Sequence, residues 1–237
     1  RWMSSVVPFQ TGYPLRRGML PALLFQAVAP RDDERVHAMT QNLHGAAIVI
    51  HGSGPTPVLN ASLSGMITEA RNHRQITALY GAKHGIQGVL NEQFWDLLAQ
   101  PDHVVRGLRK TPGSAIGSSR MRVREEHYPQ MLEVFARHGI RFAFVAGGNG
   151  TQDTGLRLER AARAQGYELR VVGIPKTVDN DLPETDCSPG FASAAKYLAV
   201  SLREAAADVA SMCSTSTRVF ILEAMGRHAG WLVAAMG

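Results

Sequence analysis

Short apolar runs alternate with longer amphipathic stretches along most of this chain, beginning near residue 45. "AAIVI" (46–50) is apolar at every position. A run that short, without polar alternation, predicts a strand buried on both faces, as in a parallel sheet. "ITALYGA" (76–82), "RFAFVA" (141–146), "LRVVGIP" (169–175) and "RVFILEA" (218–224) predict four more strands. Helical spacing of apolar residues fills the intervals. It runs from about Val58 to Asn72, then through "EHYPQMLEVFARHG" (126–139), "TQDTGLRLERAARAQG" (151–166) and "SAAKYLAVSLREAAADVASM" (193–212). Gly139 and Gly166 close two of these patterns, where a helix end takes a left-handed residue.

Strand, turn, helix, strand in repetition predicts an α/β fold: doubly wound parallel sheets with helices on both faces. Ligands of such sheets bind outside the carboxyl ends of the strands. The loops after residues 50, 146, 174 and 224 are therefore the informative ones, and all four contain glycine, proline or both.

Composition narrows the ligand more than the fold. The chain has 237 residues, 45% hydrophobic and 19% charged, enough for one large domain or two small ones. Its formal net charge of +5 suits an anionic ligand. Arg16–Arg17 and Arg109–Lys110 are its adjacent basic pairs, and no basic stripe is interleaved with aromatics. A small phosphorylated molecule is thus expected rather than nucleic acid. Cys187 and Cys213 form no C-x-x-C pair, which fits a reducing compartment, and the histidines have no zinc-site spacing. No apolar run reaches the ~18 residues of a membrane span, so no membrane partner is expected. "RRGMLPALLFQAVAP" (16–30) mimics a signal peptide but follows fifteen other residues. Residues 1–38 are read as an extension, with Met39 a candidate start just before the regular pattern.

The loop "HGSGPTPVLN" (51–60) lets backbone N–H groups approach an anion, though tight turns also use glycine for packing. In "GGNGTQDT" (147–154), Gly147, Gly148 and Gly150 remove side chains where phosphate would pack, and Thr151 offers a hydroxyl. That loop matches neither the P-loop nor the dinucleotide fingerprint. "PKTVDNDLPETD" (175–186) sets Asp179 and Asp181 two apart, with Lys176 three before Asp179. Alternate residues of an extended segment share a face, which would put Thr177, Asp179 and Asp181 together, and a carboxylate beside Lys176 would serve as a base next to a phosphate clamp. A polar surface turn has the same composition. "EAMGRHAGW" (223–231) offers Arg227 between glycines to a sugar or phosphate.

Taken together, "GGNGT", "PKTVDNDLP" and "MGRHAGW", in this order, resemble the phosphofructokinases. The match is most specific over 175–231 and is closest to the bacterial branch that uses diphosphate. "NASLSG" (60–65) and "GSSRMR" (117–122) extend it over about residues 43–237. The resemblance implies phosphoryl transfer to the 1-hydroxyl of fructose 6-phosphate, in the cytoplasm, by a homo-oligomer. It implies Asp179 as general base, with Lys176 and Arg120 as catalytic partners. Ser53, Gly54, Arg120, Gly148, Asn149, Gly150 and Thr151 would hold the donor phosphates. Thr177, Val178, Asp179, Asp181, Met225, Gly226 and Arg227 would hold fructose 6-phosphate. Mg²⁺ would ride on the donor, with Asn149 as a weak ligand. Residues 39–175 would form the donor domain and 176–237 the start of the sugar-phosphate domain, in a chain that stops short of the family's length.

The donor is expected to be diphosphate or ATP. Lys176 is the family's diphosphate-associated residue, whereas Gly150 leaves the space that an acidic residue fills in diphosphate users. Asn149 stands where the family carries aspartate, and an amide oxygen binds magnesium more weakly than a carboxylate. Ser53 stands where glycine is common. These departures keep open a non-catalytic sugar-phosphate-binding relative.

Overall fold

The computed structural model describes residues 43–237; the extension 1–38, its signal-like stretch and Met39 lie outside the described residues. Its strands are β1 (Gly45–His51), β2 (Ile76–Ala82), β3 (Phe94–Asp96), β4 (Ile140–Gly147) and β5 (Arg170–Pro175). They form one sheet in the order β3-β2-β1-β4-β5. β1 pairs in parallel with β2 and β4, and β4 with β5. Among the described residues the helices are α1 (Pro57–Ala70), α2 (Ile86–Leu90), α3 (Asp102–Leu108), α4 (His127–Arg137), α5 (Asn149–Ala164), α6 (Phe191–Met212) and α7 (Trp231–Ala234).

The unbroken apolar run of β1 has the cause expected of it. Ala46, Ile48 and Ile50 pack with Met131 and Phe135 of α4 and Leu158 of α5. Ala47 and Val49 point the other way, onto Leu63 and Ile67 of α1 and Val105 of α3. Successive side chains on a strand point to opposite faces, so a strand covered on both sides favours apolar residues at consecutive positions. α1 starts cleanly because the Thr56 hydroxyl accepts from Val58 N at 3.0 Å, with Pro57 in the first turn.

Two expectations about strands need correction. The sheet is mixed, because β3 runs antiparallel to β2. An antiparallel edge needs only a short return, whereas a parallel partner needs a crossover of a dozen or more residues. Residues 218–224, read as a fifth parallel strand, are in no strand at all. Val219 is 70% exposed and Ile221 85%. Strand propensity is realised through ladder and packing partners, and no strand among the described residues pairs with this run. No described helix is long and apolar enough to cross a membrane.

Topology places the site. From β1 the chain winds through α1 to β2 on one side; β4 lies on the other side and leads through α5 to β5. The order reverses between β1 and β4, and the crevice at such a reversal is where these sheets bind ligands.

Candidate active site

The loops after β1 and β4 lie side by side at the reversal. Gly52 N donates to Ala146 O at 2.9 Å, and Lys176 N donates to Gly147 O at 3.1 Å. A third segment arrives across them: Ser53 N donates to Ser119 O at 3.1 Å, and Ser118 Oγ donates to Ser53 O at 2.7 Å. The cleft they bound has a volume of about 660 Å³.

The glycines of these loops divide into two kinds. Gly52 and Gly147 are small because Thr151 is close. A Cβ on Gly147 would stand 2.7 Å from both the Thr151 Cβ and the Gly52 carbonyl oxygen. Gly150 has nothing within 4 Å of such an atom. Packing glycines and open glycines thus share one loop, which is why the loop alone was ambiguous in sequence. Ser53 adopts φ 71°, a left-handed conformation that favours glycine.

α5 begins at this cleft. Gly148 precedes it without a side-chain cap, while the Thr151 and Gln152 amides donate back to Gly148 O. The Gln152 side-chain amide bridges Gly147 O and Ile174 O, each at 3.0 Å, tying the ends of β4 and β5 together.

Charge converges from two loops. A Cβ on Gly54 would lie 3.5 Å from Arg120 Nη2 and 3.8 Å from Lys176 Nζ, so both cations reach the same spot over the first loop. Lys176 is buried. Burial is the largest influence on its ammonium and lowers its pKa; Asp179 raises it and Arg120 lowers it again. A bound anion would offset that cost. Asp179 N donates to Thr177 Oγ1 at 3.1 Å, a local turn that fixes the backbone at Asp179. Asp179 Oδ1 is buried without a hydrogen-bond partner. A shielded carboxylate oxygen with an open valence is what a group needs in order to accept a proton in a cleft.

Of the residues expected at the site, Ser53, Gly54, Arg120, Gly150, Thr151, Lys176, Thr177, Val178, Asp179, Met225 and Arg227 line this one cleft. Gly148, Asn149, Asp181 and Gly226 do not. Asn149 Nδ2 instead donates to Asp181 Oδ2 at 2.7 Å and to Asp181 O at 3.2 Å. Gly226 is buried at φ 149°, and its carbonyl accepts from Ala229 N at 2.7 Å, so it shapes the turn that presents Arg227. His51 and Arg122 also line the cleft and were missed. Arg122 had a signal, because "RMR" places it two residues after Arg120, on the same side of an extended segment. His51 had none beyond ending a buried strand. It is fully buried, its Nδ1 lies 2.8 Å from Ser114 Oγ, and its Nε2 has no partner. Desolvation lowers its pKa from 6.5 to about 4.

A metal held by the protein alone does not fit these side chains. Among the described residues no group of three or more His, Cys, Asp or Glu could hold an ion. The Asn149 amide is committed to Asp181.

The family model described as "Phosphofructokinase" matches residues 46–237, through the whole of this sheet and cleft. The chain belongs to the phosphofructokinase family. It is similar to a pyrophosphate–fructose 6-phosphate 1-phosphotransferase of Xanthomonas campestris pv. campestris, 47% identical over 199 residues, covering 82% of this chain and 47% of that protein. An ATP-dependent 6-phosphofructokinase of Amycolatopsis methanolica is 33% identical over 215 residues, covering 89% of this chain and 43% of that one. Among solved structures, a pyrophosphate-dependent phosphofructokinase from Nitrosospira multiformis superposes with a TM-score of 0.76 at 46% identity, over 81% of this chain and 48% of its own. This phosphofructokinase chain therefore spans about half the length of the relatives it matches.

Proposed function

We propose that this chain is part of a phosphotransferase that moves a phosphoryl group from diphosphate to the 1-hydroxyl of fructose 6-phosphate. The observation that carries this reading is the meeting of Lys176 and Arg120 over Gly54, beside the unpartnered carboxylate oxygen of Asp179. Asp179 takes the proton of the attacking hydroxyl. Lys176 and Arg120 neutralise the charge of the transferred group, and the backbone around Gly54, Gly150 and Thr151 receives the donor. Val178, Met225 and Arg227 hold the sugar phosphate. Catalysis by position and charge neutralisation suffices for phosphoryl transfer. Magnesium enters as the magnesium–diphosphate substrate.

ATP is a second reading of the donor, favoured by the open space at Gly150. The test measures fructose 1,6-bisphosphate formation with magnesium and either donor. Turnover with diphosphate is expected to exceed turnover with ATP, and faster turnover with ATP would reverse the donor assignment. Asp179→Asn is expected to lower kcat by roughly 10²- to 10⁴-fold while sugar-phosphate binding persists. No turnover by folded protein with either donor would overturn the enzyme reading.

A further inference from the structure

Asp179 sits on a segment held from two sides by asparagines. On one side, Asn180 adopts φ 52°, its Oδ1 accepts from Ser188 N at 2.7 Å, and its Nδ2 donates to Asp186 O at 3.1 Å. On the other side, Asn149, the first residue of α5, donates to Asp181 Oδ2 at 2.7 Å and to Asp181 O at 3.2 Å. Both acceptors are oxygen atoms without protons, so only the NH₂ end of the amide can face them. The orientation of Asn149 is thereby fixed, and the bond to the carboxylate is of the stronger, charge-assisted kind.

An aspartate at 149 could make neither bond. It would set two carboxylates against each other at hydrogen-bond distance, an arrangement that needs a shared proton or an intervening cation. We propose that Asn149 is a positioning residue: a metal-independent latch that closes the α5 loop onto the segment carrying Asp179. Its amide does the work that a cation between two carboxylates would otherwise do. The proposal refines the reading of Asp179 as base, but its geometry stands without that reading.

The experiment is hydrogen exchange over residues 178–182 in the 237-residue chain, with no substrate, with and without millimolar magnesium. Wild type, Asn149→Ala and Asn149→Asp are compared, and exchange over β1 serves as the control for folding. Wild-type exchange is expected to be indifferent to magnesium. Asn149→Ala should exchange about tenfold faster whether or not magnesium is present, from the loss of hydrogen bonds to a charged partner. Asn149→Asp should exchange faster without magnesium and return toward wild type with it. Unchanged exchange in Asn149→Ala would overturn the latch, as would slowing of the wild type by magnesium to the extent seen in Asn149→Asp. Because no turnover is measured, failure of the phosphotransferase reading would leave this result intact. Failure of the latch would likewise leave the turnover test unaffected.

Discussion

The sheet between Gly45 and Pro175 and the stretch from Phe191 to Gly237 are equally apolar to the eye, yet they bury very differently. β1 places all but its first residue out of solvent, and α4 and α5 close one of its faces. α6, twenty-two residues long, buries none of its residues fully. Tyr197, Val219, Phe220, Ile221 and Trp231 are each half exposed or more. The difference lies in partners rather than in composition. A strand flanked by strands and helices on both sides converts its apolar residues into core, while the same residue types without a ladder remain surface.

The largest test of that contrast is a pair of truncations. Phe135→Ala, in the closed face, should cost about 3–5 kcal/mol of stability. Ile221→Ala, in the open stretch, should stay within about 0.5 kcal/mol. Chemical denaturation measures both, and equal costs would erase the distinction. Acid probes the buried side next. The folded pKa of His51 is depressed to about 4 from 6.5. The unfolded chain therefore takes up the proton first, so stability present above pH 6.5 is lost as pH falls toward 4. The loss should approach about 1.4 kcal/mol per pH unit and total about 3 kcal/mol. Denaturation curves across that range should be flatter for His51→Gln.

A smaller effect is expected at the cleft itself. Ser53→Gly relieves a left-handed backbone and should raise stability by about 0.5–1 kcal/mol, net of glycine's extra freedom in the unfolded chain. Thermal unfolding reads it. The least effect on stability should come from Ile221→Lys, within about 0.5 kcal/mol, because its side chain is already in solvent. That variant should nevertheless bind less of a hydrophobic dye such as ANS. Unchanged dye binding would show that the exposed stretch is not the apolar surface the dye reads.

Much of the buried half was legible in the sequence. The run 76–82 is β2 as observed, and the helix expected over 126–139 is α4 at His127–Arg137. Burial on both faces leaves a plain pattern, and glycine marks the ends. What was not legible depended on partners. "FWD" became β3 only because β2 offered an edge, and three residues carry no period of their own. "RVFILEA" reads as a strand by composition, but composition does not supply a neighbour. At the site, residue types made Lys176 and Asp179 candidates without excluding a polar surface turn, whereas convergence was needed to find His51. The sequence makes Asn149 a candidate ligand, and only its distance to Asp181 discloses what its amide holds. No spacing rule links residues 32 positions apart.

The threonine between Gly52 and Gly147 has a consequence for how this sequence can vary. Because the Thr151 side chain alone fills the space beside Gly52, positions 52 and 151 behave as a single unit of substitution, while Gly147 is held small by the Gly52 backbone as well. An alanine at 52 has no room while Thr151 stays, and a smaller residue at 151 leaves a gap that alanine could fill; at 147 the Gly52 carbonyl oxygen would still stand 2.7 Å from the added carbon. Change at the floor of the cleft is therefore expected to come in compensating pairs: Gly52→Ala should be rescued by shrinking residue 151, whereas Gly147→Ala should not, because the Gly52 carbonyl oxygen stays in its way.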